Sequence, residues 1–496
     1  MTVFVCGALV MIFEIIGSRI LSPFIGTSTY IWTSLIGVIL ASLSLGYWAG
    51  GRLADKRPDA KVLGGVIFTA AGLVALTILI KDIFLSAVAA ATIGLELKAV
   101  IAALFLFAPA SICLGVVTPF AVRLKMTALD KTGSTVGRLY ALSTIGSIAG
   151  TFGAGFFLLP FVGSVRTLYL IAASLVVLSI MIVPFAWSRT NIAVVVLLVL
   201  GIAATEGQTY LLRRESGLYD IDTEYSRVQV FRSKDPATGR PIQALATDPY
   251  FVQSAAFFDS DDLVLAYSPY YHLMRHFNPG FTRTLMIGGA GYSFPRDYLK
   301  VYKEAHIDVV EIDPGMTQIA RNHFRLEDNA RMNIIHEDGR MYVNRAAAGS
   351  YDVVLMDAFG SLFSVPHHLT TVEAVANIHR VLTDNGVVIF NLGSALTGDA
   401  SLFFQAELAT YRHVFPHVYV FKVNADYPDT RMQNLIIVAS KSPVLPQFAS
   451  DDAYLSSLLA HYYPVDTSPQ QPILTDDLAP VEYYNSIAQN IYLANR

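Results

Sequence analysis

TLMIGGAGYSFPRDYLKVYKEAHIDVVEIDP, residues 284–314, decides the fold of the C-terminal half. Its two apolar runs, TLMI and HIDVVEI, flank a helical stretch near 294–303, and Gly288-Gly289-Ala290-Gly291 follows the first run directly. Strand, glycine-rich turn, helix and strand in that order make a βαβ unit with the turn at the carboxyl end of a strand. Small residues there let a ligand approach the backbone at a helix N-terminus. Glu311 lies 20 residues beyond Gly291, at the end of the next strand. That is the spacing of an acidic side chain that accepts hydrogen bonds from ribose hydroxyls.

Outward from this unit the alternation continues: a helix near 315–325, MNIIHED, a helix near 338–346, YDVVLMD, a helix near 371–382 and GVVIFNL. Apolar strands alternating with amphipathic helices predict a parallel sheet covered on both faces, a doubly wound α/β domain. Asp338 ends the third strand in EDGR, where a carboxylate can accept from an adenine amino group, and Asp357 ends the fourth in VVLMDAFG. Ligands bind at such strand ends, although a carboxylate there is also a helix cap. The absence of a GxxxxGK[ST] loop favours a nucleoside whose tail is not a polyphosphate. Before residue 283, TEYSRVQVF, the turn ATGRP and IQALAT predict short strands, and 261–277 reads as a helix.

The first half has a different solvent. Of 496 residues 53% are hydrophobic and 15% charged, but residues 1–205 hold 13 Lys+Arg and 6 Asp+Glu, against 22 and 33 in the remainder. Seven segments approach the roughly 20 apolar residues that cross a bilayer: 3–23, 29–50, 62–80, 99–122, 138–161, 165–186 and, shortest, 191–205. Ile83–Gly94 is too short to span and reads as an interfacial helix or loop. The N-terminal apolar run contains Glu14 and Arg19 and leads into further spans, unlike a cleaved signal. The lipid bilayer is therefore a partner. An acidic soluble half with no basic tract excludes nucleic acid.

Arg52, Lys56, Arg57 and Lys61 in one loop and Arg123, Lys125, Lys131 and Arg138 in another place both in the cytoplasm. Seven crossings then put the soluble half outside; six put it in the cytoplasm, the side preferred here because the seventh segment is short. GYWAG, with Gly46 and Gly50, and GSIAG, with Gly146 and Gly150, have the spacing that lets helices approach closely, and packing inside one chain is the expected use. Glu14 and Arg19 make no proton path alone and are expected in interhelical pairing or snorkelling. Cys6 and Cys113 read as packing residues. Adjacent His367 and His368 point apart and lack a third partner, so a loop-anchoring role is expected and no metal site.

With these residues in view, 210–440 resembles the spermidine synthase type of Rossmann-like S-adenosyl-nucleoside enzyme. The motifs are VEIDP, HEDGR, MDAFGS and VPHHLTTVEA. The whole chain, through EIIGSRILSPFIG, GYWAGGRLADKR and GRLYALSTIGSIAGTFGAGF, resembles bacterial proteins in which such a domain follows membrane helices. The resemblance implies a multi-spanning α-helical membrane domain of about seven helices (1–207), a small β-rich subdomain with a linking helix (208–282), an α/β Rossmann-like domain (283–445) and a C-terminal extension (446–496). It implies a bacterial inner-membrane protein transferring an aminopropyl group from decarboxylated S-adenosylmethionine to a small amine or polyamine, with a homo-oligomer left open.

Under it Gly288, Gly289, Gly291, Glu311 and Asp338 hold the nucleoside, Asp357 helps deprotonate the amine and Tyr225 lines the amine pocket. The sequence departs where the family has GGGDG and DSSDP: here stand Ala290-Gly291-Tyr292 and Asp357-Ala358-Phe359-Gly360. Ser226 replaces the glutamine beside Tyr225, and no clear YHE occurs around Tyr267–His272. Fewer carboxylates face a cationic substrate, so methyl transfer from S-adenosylmethionine itself, or a transporter or sensor that only binds a nucleoside, are the alternatives.

Overall fold

The N-terminal helices are α1 (Thr2–Ile25), α2 (Thr29–Lys56), α3 (Ala60–Ala90), α4 (Leu95–Leu106), α5 (Ala108–Lys125) and α6 (Thr132–Gly153). A π-helical turn (Ala154–Leu158) then leads into α7 (Leu159–Phe161), followed by α8 (Ser164–Ile182) and α9 (Arg189–Ser216). The structure is a computed structural model describing residues 1–26, 28–91, 93–126, 132–183, 189–247, 251–358, 365–465 and 471–494. Contacts divide the chain into two bodies, Met1–Val228 and Gln229–Arg496.

Among the described residues six helices are long and apolar enough to cross a membrane; the segment expected at 191–205 lies on α9, whose apolar stretch Ile192–Gly207 is shorter. Two local expectations change. Ile83–Ala90 continues α3 without a break, and the single segment 99–122 divides at Phe107 between α4 and α5. Pro109 in the first turn of α5 explains the division, since it has no N–H to extend a preceding helix. The π turn likewise precedes Pro160, whose ring does not fit a regular i→i−4 ladder.

The paired glycines are used inside the chain. A Cβ on Gly146 would lie 2.0 Å from the Phe4 carbonyl oxygen and one on Gly150 2.3 Å from that of Ala8, so α6 packs backbone to backbone on α1. Gly46 and Gly50 meet α5 in the same way, at Ile112 and Val116. Arg19 donates to the Glu224 carbonyl at 2.6 Å. Lys81 is buried and bonds both oxygens of Asp82.

The first strands are β1 (Tyr219–Asp222), β2 (Arg227–Lys234), β3 (Pro241–Ala246) and β4 (Ser254–Phe257). β3 pairs antiparallel with both β2 and β4. A 3-10 helix (Ser268–Leu273) and α10 (Met274–Phe277) follow in place of the expected 261–277 helix. Pro269 stands in the first turn of this helix, where its missing N–H leaves no intrahelical hydrogen bond unmade.

The rest alternates as β5 (Arg283–Ile287), α11 (Ser293–Val301), β6 (His306–Glu311), α12 (Pro314–His323), β7 (Met332–His336), α13 (Gly339–Arg345), β8 (Tyr351–Met356), α14 (Val372–Val381) and β9 (Leu382–Ser394). It closes with α15 (Leu402–Val414), β10 (His417–Lys422), β11 (Gln433–Ser440), α16 (Ala453–Leu459), β12 (Tyr462–Tyr463) and α17 (Val481–Ala494).

The sheet has eight strands in the order β12-β10-β11-β9-β8-β5-β6-β7. β9-β8-β5-β6-β7 are parallel, as the alternation predicts. β11, β10 and β12 add an antiparallel extension, because β10 and β11 follow α15 as two strands with no intervening helix. One buried cluster of Leu285, Val354, Val388 and Tyr411 and another of Met286, Val309, Val353 and Ile389 cover the two faces. Strand order reverses between β5 and β8, so their carboxyl ends open the crevice where ligands bind in doubly wound sheets.

Candidate active site

The glycine loop leaves β5 at Gly288, whose N–H donates to the Val310 carbonyl at 2.8 Å. Its φ is +96°, and a Cβ there would lie 2.3 Å from the Asp357 carbonyl oxygen, so only glycine fits. At Gly291 a Cβ would lie 2.4 Å from the Ser254 hydroxyl. The small residues thus serve the loop's own packing. Ala290 and Tyr292 also hold positive φ, +44° and +53°, a cost for side chains with a Cβ that the surroundings must offset.

Glu311 supplies that support. Its Oε2 accepts from the backbone of Gly289 at 2.9 Å and Ala290 at 3.1 Å, and its Oε1 accepts from Asp313 at 3.0 Å. The side chain is buried, and burial raises its carboxyl above the ordinary value while the three N–H groups pull it back down. Three of about four acceptor positions on the carboxylate are taken.

Asp338 caps α13, accepting from Met341 N at 3.0 Å, and its other oxygen meets His368 Nε2 at 3.1 Å. His368 therefore anchors its loop to a predicted site residue. Ile312, just past Glu311, and Met341 expose 38% and 59% of their surface, two apolar side chains beside the strand ends.

Asp357 follows β8, and its N–H donates to the Ile287 carbonyl at 2.9 Å, tying it to the strand that carries the glycine loop. Oδ1 accepts from Asn391 Nδ2 at 3.0 Å and Oδ2 from the Tyr267 hydroxyl at 3.1 Å. The buried Tyr271 hydroxyl is near enough to feel this charge but makes no hydrogen bond of good geometry among the described residues. Burial raises the Asp357 carboxyl, opposed by Asn391 and the two tyrosines. Burial and then the Asp357 charge push the Tyr267 hydroxyl well above its ordinary value, so it stays a neutral donor. Asp357, Tyr267, Tyr271, Gly289, Ala290 and Ser293 line a cavity of about 30 Å³.

Residues 268–444 match the family of the spermine/spermidine synthase domain. This region is a spermine/spermidine synthase domain. A polyamine aminopropyltransferase of Vibrio vulnificus is 29% identical over 290 residues, 55% of this chain and 91% of its own. Polyamine aminopropyltransferase 1 of Streptomyces coelicolor is 25% identical over 423 residues, 79% of this chain and 75% of its own. A crystal structure of a probable spermidine synthase from Corynebacterium glutamicum covers 55% of this chain and 94% of its own, at 22% identity and a TM-score of 0.42. Domain and relatives make the chain a transferase.

The synthase domain contains the glycine loop, Glu311, Asp338 and Asp357, while Tyr225 and Tyr267 precede it. The structure brings Gly289, Ala290 and Asp357 to one cavity, and ties Glu311 to it through the loop backbone. Tyr225 lies in the N-terminal body, in the turn after β1 and 50% exposed, and is not among the described residues lining the cavity. Phe359 and Gly360 lie outside the described residues. Sequence reasoning missed Tyr267, Tyr271 and Asn391. Asn391 was findable as the lone amide in the apolar run GVVIFNL; Tyr267 was hidden inside a presumed helix.

Proposed function

We propose that the protein is a membrane-integrated aminopropyltransferase that uses decarboxylated S-adenosylmethionine and a primary amine. The observation that carries this reading is the Asp357 carboxylate, held by Tyr267 and Asn391 and lining one cavity with the glycine loop. The loop, Glu311 and Asp338 would hold the adenosyl group, with Ile312 and Met341 offering apolar contact to the base. Tyr225 stays with the acceptor side by resemblance alone.

In the reaction the amine nitrogen attacks the carbon attached to the sulfonium, the C–S bond breaks, and its electron pair leaves on sulfur as a neutral thioether. The leaving group is good, so the protein chiefly aligns the amine and accepts its proton, here at Asp357. The acceptor is an amine of small size; its identity is set by groups beyond this carboxylate.

The first half would lie in a bacterial inner membrane, with the synthase domain in the cytoplasm where its nucleoside is made. Six crossings and the basic loops agree with that side. A C-terminal reporter active only in the periplasm would reverse the assignment.

The reaction is tested by incubating purified full-length protein with decarboxylated S-adenosylmethionine or S-adenosylmethionine and a panel of amines, and identifying the released thioether by mass spectrometry. Methylthioadenosine from the first supports the reading. S-adenosylhomocysteine from the second would replace it with methyl transfer, and tight nucleoside binding without either product would replace it with sensing.

A further inference from the structure

We propose that Asn391 and Asn434 form a polarised amide relay that positions Asp357 for the reaction, an inference that rests on reading Asp357 as the proton acceptor. The strands dictate the alignment. Asn391 on β9 registers with Ile436 on β11, two residues beyond Asn434, so the two amides are diagonal neighbours on one face of the sheet. β8 ends with Met356 opposite Phe390, which sets Asp357 beside Asn391.

Asn434 Nδ2 donates to Asn391 Oδ1 at 2.9 Å, and Asn391 Nδ2 donates to Asp357 Oδ1 at 3.0 Å. An amide whose oxygen is occupied in accepting from one side presents its NH2 to the other. Asn434 therefore fixes the direction of Asn391, and Asn391 meets Asp357 as a donor. Were Asn391 reversed, its oxygen would face the carboxylate and only the protonated acid would fit.

The titratable groups facing Asp357 are Tyr267 and Tyr271; β9 contributes the amide, and among the described residues no cation is paired with the carboxylate. Without a counter-ion, the donors on its two oxygens are what keep a buried carboxyl able to take up a proton. Neither asparagine is among the described residues lining the cavity, so both act through Asp357 and are positioning residues.

The test is a pH titration of the full-length protein by infrared spectroscopy, following the protonated-carboxyl band that Asp357→Asn removes, with no substrate present. Asn391→Leu should move the midpoint up by about one pH unit, a tenfold change in proton affinity. Asn434→Leu should move it in the same direction by less, and the double variant no further than Asn391→Leu alone. The acid limb of kcat, measured with decarboxylated S-adenosylmethionine and 1,4-diaminobutane, should shift in the same order.

An unmoved midpoint in Asn434→Leu, or shifts that simply add in the double variant, would overturn the relay. Should Asn391→Leu fail to fold, Asn434→Leu against Asn434→Gln decides alone: the leucine shifts the midpoint and the glutamine, which keeps a donor, does not. Infrared shifts with no product from wild type would keep the relay and remove the transfer reading.

Discussion

The Tyr267 hydroxyl reaches the Asp357 carboxylate at 3.1 Å across ninety residues of sequence. Tyr267 precedes the 3-10 helix that opens at Ser268, and Asp357 follows β8, so the contact joins the edge of the synthase domain to its central strands. Asp357→Asn keeps the shape and removes the charge. Turnover should fall about a hundred- to ten-thousand-fold while nucleoside affinity, read by calorimetry, stays within a few fold. Tyr267→Phe removes one donor to a charged group and should cost roughly ten- to a hundredfold. Full turnover in Asp357→Asn would reduce Asp357 to a structural carboxylate.

Glu311 is both a proposed ribose ligand and the clasp of the 288–291 loop, and the two roles separate in measurement. Glu311→Ala should weaken binding of an adenosyl thioether by about 1 to 3 kcal/mol, as when charge-assisted hydrogen bonds are lost. It also strips the acceptor from three backbone N–H groups, so the thermal midpoint of the protein without nucleoside should drop. A lower midpoint with unchanged affinity would leave Glu311 as the clasp alone.

The parallel part of the sheet was legible because each strand from β5 to β9 is an apolar run closed by a helical period, which fixes order and direction locally. The strand-end carboxylates were legible for the same reason: Glu311 and Asp357 stand where the apolar runs stop. The partners of Asp357 were not, since Tyr267 and Asn391 are selected by tertiary register and no local spacing links positions 267, 357 and 391. The clasping of the loop by Glu311 was equally invisible, because a carboxylate 20 residues past a glycine looks the same whether it faces a ribose or the loop's own amides.

In the N-terminal body the glycine spacing makes a separable prediction. Gly146→Ala puts a methyl 2.0 Å from the Phe4 carbonyl oxygen, and the backbone of α1 has to move to admit it. Overpacking of this kind costs about 1 to 3 kcal/mol. Gly155, in the π turn that follows α6, has nothing among the described residues within 4 Å of an added Cβ. Gly155→Ala should therefore leave the thermal midpoint in detergent unchanged or slightly raised, whereas Gly146→Ala should lower it. Equal midpoints for the two variants would mean that α1 and α6 do not pack as closely as the glycines allow.

Glu407 on α15 is fully buried, and among the described residues neither of its carboxyl oxygens has a hydrogen-bond partner. Burial holds its carboxyl well above the ordinary 4.5, and the buried Tyr411 hydroxyl one turn on offers no cation to reverse that. The native protein therefore keeps a proton that the unfolded chain releases above about pH 4.5. Because the native state binds more protons, stability falls as pH rises from the unfolded value toward the raised native one, by up to about 1.4 kcal/mol per unit for this one group. Glu407→Gln carries no titrating proton and should remove that slope. Relative to wild type, its thermal midpoint in detergent should gain at pH 8 over its value at pH 5. A difference between the two proteins that is the same at both pH values would show that Glu407 does not hold a proton in the folded state.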